Sequence, residues 1–231
     1  MIKLLTVADL ITLLNAVLGF IAILFAMSHQ FSLAASLILL GLLADGLDGM
    51  VARRLGIGKI GEFLEPIADM ISLSVAPLIL WYAIYYNTIV GTPWVHGCVG
   101  LVMTFSLICS IIRLSSFSLL KEQQYFVGLP TSASAMFLVA ISYLAPAIWY
   151  PLGGIIILSL AMISSIHFPK LGLIANLVTA LLVAATIIFD SMYYNITPIV
   201  LLAALGCYVI LGPLYFFLKT RQVSGTGDIR N

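Results

Sequence analysis

Apolar residues run almost unbroken through eight stretches of the chain, residues 7–27, 31–43, 71–86, 95–112, 132–150, 155–166, 171–189 and 199–218. Short polar, glycine-bearing or proline-bearing segments separate them. Most stretches approach or exceed the roughly 20 residues that a helix needs to cross a hydrocarbon core of about 30 Å. The stretch 155–166 is short by itself and becomes a plausible span when Leu152, Gly153 and Gly154 are added. The pattern predicts an all-α integral membrane protein, a bundle of about eight transmembrane helices. Six or seven helices with re-entrant segments are the alternative.

Composition removes the soluble alternative. Of the 231 residues, 62% are hydrophobic and 8% charged, with a mean hydropathy of +1.18. A soluble domain is about half apolar and about a quarter charged. Lys3 ahead of an apolar run resembles a signal peptide, but no small-x-small cleavage site follows, and Asp9 and Asn15 interrupt the run. The segment therefore reads as a mature helix. Cys98, Cys109 and Cys207 lie within apolar runs without metal-ligand spacing and read as small buried hydrophobes. Residues 1–221 read as one transmembrane domain, and residues 222–231 (QVSGTGDIRN) as a polar, disordered tail.

The position of charge predicts orientation. All ten Lys and Arg fall on or beside the N-terminus, the connections 54–61, 120–130 and 167–170, and the C-terminal tail. With eight spans these share one side, and the opposite connections hold no basic residue. The positive-inside rule then puts both termini and the segment 42–70 on the cytoplasmic face of the cytoplasmic membrane. Trp81, Trp94 and Trp149, with Tyr85, Tyr86, Tyr150, Tyr193 and Tyr194, fall at the opposite ends, where an interfacial aromatic belt is expected. Nothing in the charge pattern calls for a nucleic-acid partner.

Five of the nine acids sit in residues 42–70, LLADGLDGMVARRLGIGKIGEFLEPIADM. Asp45 and Asp48, three apart, share one face of the second helix; Glu65 and Asp69, four apart, share one face of the third. The connection 54–60, with Gly56 and Gly58, folds the helices back on each other, so both acid pairs can converge just inside the interface. Clustered carboxylates at low dielectric need compensation. Two divalent cations, Mg²⁺ or Mn²⁺, suit an all-oxygen set, and ions about 3.5–4 Å apart can share carboxylates. The hairpin has no His or Cys, which argues against zinc. Interhelical salt bridges, for instance with Arg53, are the structural alternative, but the three basic residues Arg53, Arg54 and Lys59 cannot neutralise five acids. Gly49 removes a side chain where a ligand could approach, and Ala52 keeps the same face shallow one turn on. Arg53 can fork onto a phosphate, with Lys59 as a second, point-charge partner. Together these residues suggest a diphosphate ligand.

Asp45, Asp48, Gly49, Ala52, Arg53, Gly61, Glu65 and Asp69 read D-x2-D-G-x2-A-R-x7-G-x3-E-x3-D. This closely resembles the signature of the CDP-alcohol phosphotransferases, which displace CMP from a CDP-linked alcohol with the hydroxyl of a second alcohol. One position departs: the family has aspartate where this chain has Glu65, whose carboxylate reaches about one bond further. The resemblance implies that Asp45 and Glu65 bridge two cations. It implies too that Asp48 completes the first site, and that Asp69 completes the second and is the catalytic base for the attacking hydroxyl. It further implies that Gly49, Ala52 and Arg53 hold the CDP portion of the lipid, that Asn15 faces inward near the nucleotide, and that the protein is a homodimer.

A second stretch, CSIIRLSSFSLLKEQQYFVGLPTSASA at residues 109–135, bears on the acceptor. Arg113, Leu114 and Phe117, followed by Phe126, Gly128, Leu129, Pro130 and the small residues 131–135, resemble the serine-using branch of that family. That branch comprises the phosphatidylserine and archaetidylserine synthases. The resemblance implies a CDP-diacylglycerol or CDP-archaeol donor, L-serine as acceptor, and a site in which Arg113, Gly128 and Pro130 contact serine. Arg113 could pair with the serine carboxylate or simply snorkel to the headgroups. The Gly128–Pro130 turn could line the alcohol site or only start a helix. Glycerol 3-phosphate and inositol phosphates are rival acceptors, though they would call for more basic side chains than Arg113 and Lys121. A cation-coupled transporter is the rival from another class. Its sites lie near the bilayer midplane on broken helices in repeated halves, whereas these acids lie near one interface.

Overall fold

A computed structural model of the chain describes residues 5–55, 60–117, 125–169, 172–189 and 196–225. These form eight long helices: α1 (Val7–Met27), α2 (Phe31–Leu55), α3 (Gly61–Ile84), α4 (Pro93–Phe117), α5 (Thr131–Leu144), α6 (Trp149–Ile163), α7 (Leu173–Phe189) and α8 (Ile196–Gly225). A helical turn, Tyr86–Val90, lies between α3 and α4. Two short strands, β1 (Tyr125–Val127) and β2 (His167–Pro169), complete the architecture. The fold is an all-α bundle of membrane type. Helices α1, α2, α3, α4 and α8 contain segments long and apolar enough to cross a bilayer. Helices α5, α6 and α7, at 14, 15 and 17 residues, reach only about 21 to 26 Å at 1.5 Å per residue.

The local reasons begin at Thr6. Its backbone N–H donates to Asp9 Oδ2 at 2.7 Å, and the Asp9 N–H donates back to Thr6 Oγ1 at 3.4 Å, a reciprocal cap that starts α1. Asp9 therefore closes the helix end rather than interrupting a span. Along α1 the small and polar residues Thr12, Asn15, Gly19, Ala22 and Ala26 are buried, while Leu10, Leu14, Val17, Phe20 and Leu24 are about half exposed. Large apolar groups outside and small or polar groups inside suit a helix whose outer solvent is lipid. The small residues allow backbone contact. A Cβ on Gly19 would stand 2.5 Å from Ser72 Cα, and one on Gly41 would stand 2.9 Å from Asn15 Oδ1. Helix α1 thus lies tight against both α2 and α3.

Helix α3 is α-helical over Gly61–Asp69 and Ala76–Ile84, with a π-helical section over Met70–Val75. Pro77 has no N–H to offer the carbonyl of Leu73, so the α-helical ladder is already interrupted there. The widened turn begins directly after Asp69, and such turns are frequent at functional positions.

Two departures from the sequence pattern stand out. The apolar stretch 132–150 stops being helical before its hydropathy falls, inside the basic-free connection expected at residues 145–152: α5 stops at Leu144, Ala145 adopts a left-handed conformation (φ 39°), and Pro146 follows before α6 begins at Trp149. Hydropathy does not register a backbone stop made of apolar residues. Trp81 does not belong to an aromatic belt. Trp94 and Trp149 are 77% and 57% exposed, but Trp81 is fully buried among Leu78, Tyr85, Ile89, Val99 and Leu138. Tyr85 is buried beside it and donates to the Pro146 carbonyl at 2.6 Å.

The connections holding residues 125–127 and 167–169, expected on one side, are hydrogen-bonded to each other as an antiparallel ribbon, with Phe126 opposite Phe168. Helix α8 continues to Gly225, four residues into the segment expected to be a tail.

Candidate active site

The site is built where the end of α2, the start of α3 and the middle of α1 meet. Asp45, Asp48, Glu65 and Asp69 lie within electrostatic reach of one another. The structure therefore brings all four carboxylates of the hairpin together. Asp45, Glu65 and Asp69 line one cavity of about 140 Å³, together with Arg113, Leu114, Phe126, Pro130, Thr131 and Ser132. Asp48 stands beside that lining and turns toward α1, buried to 4% exposure.

Helix α1 holds two of the carboxylates by hydrogen bonds. Thr12 Oγ1 donates to Asp48 Oδ2 at 2.6 Å, and Asn15 Nδ2 donates to Asp69 Oδ1 at 2.9 Å. Each locks a carboxylate rotamer from the helix that Gly19 and Gly41 allow to approach. Asn15 is fully buried, and among the described residues its own Oδ1 has no hydrogen-bond partner. An orphaned carbonyl oxygen in an apolar interior is costly unless something completes it.

The donor set fits hard cations in chemistry: four carboxylates, one of them bonded by the Asn15 amide nitrogen, whose oxygen lies against Gly41. Asp45, Glu65 and Asp69 face the cavity without closing on a point. Among the described residues, no three Asp, Glu, His or Cys side chains stand close enough to hold a metal ion. A bound cation would have to draw these side chains inward against the Thr12 and Asn15 hydrogen bonds that hold Asp48 and Asp69.

The remaining predicted residues fall into three groups. Among the described residues nothing lies within 4 Å of where a Cβ on Gly49 would stand. Arg113 is buried to 6% exposure, and its Nε donates to the Leu129 carbonyl at 3.2 Å, so it faces the cavity rather than snorkelling to a surface. Pro130 lines the cavity directly, whereas Gly128 shapes the turn behind it. Gly128 sits at φ 78° with its N–H donating to the Ile166 carbonyl at 2.8 Å. Ala52 and Arg53 belong to the last turns of α2, but their side chains, and all of Lys59, lie outside the described residues.

Sequence reading missed Thr12, and it placed Thr131 and Ser132 only among the small residues 131–135 of the acceptor-branch resemblance, without a role at the site. Thr12 had a signal: with Asp9 and Asn15 it forms a polar stripe of spacing three on an otherwise apolar helix. Thr131 and Ser132 begin α5 and look like ordinary helix-start residues until the fold turns them toward Arg113.

The profile of the CDP-alcohol phosphatidyltransferases matches residues 5–167, which contain every residue of this cavity. The chain belongs to that family. Among its relatives, the CDP-diacylglycerol–serine O-phosphatidyltransferase of Methanocaldococcus jannaschii is 34% identical over 171 residues, covering 73% of this chain and 76% of the relative. The archaetidylserine synthase of Methanothermobacter thermautotrophicus is 34% identical over 169 residues, covering 70% and 69%. The CDP-diacylglycerol–serine O-phosphatidyltransferase of Helicobacter pylori is 30% identical over 232 residues, covering 93% of both chains. Membership explains why so apolar a transferase concentrates its acids in one hairpin.

Proposed function

We propose that this transferase moves a phosphatidyl or archaetidyl group from a CDP-activated lipid to the hydroxyl of L-serine, releasing CMP. The observation that carries the reading is that Asp45, Glu65 and Asp69 share one cavity with the buried Arg113. The acids suit the diphosphate end of the donor through cations, and the guanidinium suits the carboxylate of an amino-acid acceptor. The relatives named for serine favour the same acceptor.

In this reading Asp45, Asp48, Glu65 and Asp69 hold two divalent cations, Mg²⁺ or Mn²⁺. When bound, these ions would stabilise charge on the diphosphate and on departing CMP. Asp69, oriented by Asn15, accepts the serine hydroxyl proton. The freed oxygen attacks the lipid-side phosphorus, forming the new phosphoester as the bond to CMP breaks. Gly49, Ala52, Arg53 and Lys59 receive the CDP portion. Arg113, with Thr131 and Ser132 beside it, orients serine, and Leu73, Leu114 and Phe126 keep the cavity apolar enough to exclude water. The basic connections support a cavity that opens at the cytoplasmic face of the cytoplasmic membrane.

The test is CMP release by purified protein with CDP-diacylglycerol or CDP-archaeol and Mg²⁺ or Mn²⁺, comparing L-serine, glycerol 3-phosphate and inositol phosphate. Release that requires serine and stops on chelation supports the reading. Release with another acceptor alone, or none in either the natural protein or Glu65→Asp, overturns it.

A further inference from the structure

The family match ends at residue 167, yet the acceptor side of the cavity is braced by the chain beyond it. Arg113 is held by the carbonyl of Leu129, itself fully buried. That carbonyl is placed by the turn before it: Gly128 donates to Ile166 at 2.8 Å and Leu129 donates to Ala161 at 3.0 Å. The turn in turn continues β1, which pairs with β2 through Val127–His167, Phe126–Phe168 and Tyr125–Pro169. Helix α8 closes on this ribbon. Tyr208 donates its hydroxyl to the Pro169 carbonyl at 3.3 Å, and its ring packs on Phe168 with centroids 5.8 Å apart. Gly212, one turn on, lets α8 approach, since a Cβ there would stand 3.1 Å from Pro169 Cδ. Tyr208 also lies within electrostatic range of the Arg113 guanidinium.

We infer that Tyr208, on α8, is a positioning residue for the acceptor. With Gly212 it fixes the β1–β2 ribbon, and the ribbon fixes the Leu129 carbonyl that aims Arg113 into the cavity. The CDP-lipid end is untouched by this chain of contacts, because its residues lie on α1, α2 and α3. The inference rests on the serine reading proposed above, and it separates the two substrates: α8 tunes the acceptor and leaves the donor alone.

The experiment uses the full chain and two variants. Tyr208→Phe keeps the ring on Phe168 and removes only the hydroxyl. Gly212→Ala presses a methyl onto Pro169 and covers the case in which the first variant misfolds. Each is expected to raise the KM for L-serine roughly three- to tenfold, the scale of one lost buried hydrogen bond. The KM for CDP-lipid should stay within about twofold. Simple destabilisation would instead lower kcat through the active fraction and leave both KM values alone. Serine KM values at the natural level in both variants, or two KM values that rise together, overturn the inference. Hydrogen exchange in the full-length protein adds a readout independent of the acceptor. Faster exchange at the Gly128 and Leu129 amides in Tyr208→Phe supports the brace, and unchanged exchange overturns it. A natural protein without serine-dependent CMP release would overturn the serine reading alone, and the exchange result would still decide the role of Tyr208 on the ribbon.

Discussion

At Gly19 the backbones of α1 and α3 come into direct contact beside the site, and that contact yields the sharpest prediction. In Gly19→Ala the new Cβ would meet Ser72 Cα at 2.5 Å and Ser72 N at 2.9 Å. The first distance is about 1 Å short of an ordinary carbon–carbon contact. Both obstructing atoms are backbone, so no rotamer change relieves the clash, and α1 must move off α3 by about 1 Å. That overpacking should cost about 1–3 kcal/mol of stability. The displacement falls one turn from Asn15 and one turn from Asp69, whose hydrogen bond spans 2.9 Å. A misplacement of about 1 Å at reacting groups can cost about 100-fold in rate. The assay is serine-dependent CMP release at saturating CDP-lipid, normalised to folded protein by size exclusion in detergent, with thermal unfolding measured in parallel. The expected result is a kcat lowered by about one to two orders of magnitude, with folded material still recovered. Activity and unfolding temperature both at the natural level would refute the claim that this contact sets the spacing of the site. Gly46→Ala is the matched control, because nothing lies within 4 Å of its Cβ position.

Three further predictions follow from the same geometry. Gly49→Ala should not lower thermal stability, since its Cβ meets nothing among the described residues and alanine favours a helix interior, and it should raise the KM for CDP-lipid by the clash with a bound donor; an unchanged donor KM would remove Gly49 from the binding surface. Asp69→Asn should abolish turnover while retaining most CDP-lipid affinity, measured by equilibrium binding, and turnover near the natural rate would exclude Asp69 as the base. Mn²⁺ should raise the unfolding temperature of the natural protein by binding only the folded state, and that rise should shrink in Asp45→Asn; equal rises in both would place the cation elsewhere.

The carboxylate hairpin was legible in the sequence because helical spacing is a local property. Asp45 with Asp48, and Glu65 with Asp69, must share faces wherever those segments are helical, and a loop as short as 54–60 leaves the two helices adjacent. Lipid exposure was legible for a similar reason, since a chain that is 62% hydrophobic has few polar side chains with which to cover an aqueous surface. Side-chain surroundings that depend on a third element were not legible. Trp81 looks the same on paper as Trp94, and only packing against Val99 and Leu138 makes it core. The break at Ala145 and Pro146 is invisible to hydropathy because both residues are apolar.

What the sequence determined by itself was a membrane-type helical bundle with one dense acidic hairpin, because composition and short-range periodicity need no knowledge of the fold. The tertiary structure alone decided which helix holds the acids in place, through Thr12 and Asn15. It also decided that Arg113 turns inward on the Leu129 carbonyl, and that α8 reaches back to brace that turn. Each of those contacts joins residues from separate elements, and their closeness is a consequence of how the helices pack. Pattern along a chain constrains which face a residue occupies; what that face meets is set only when the whole bundle closes.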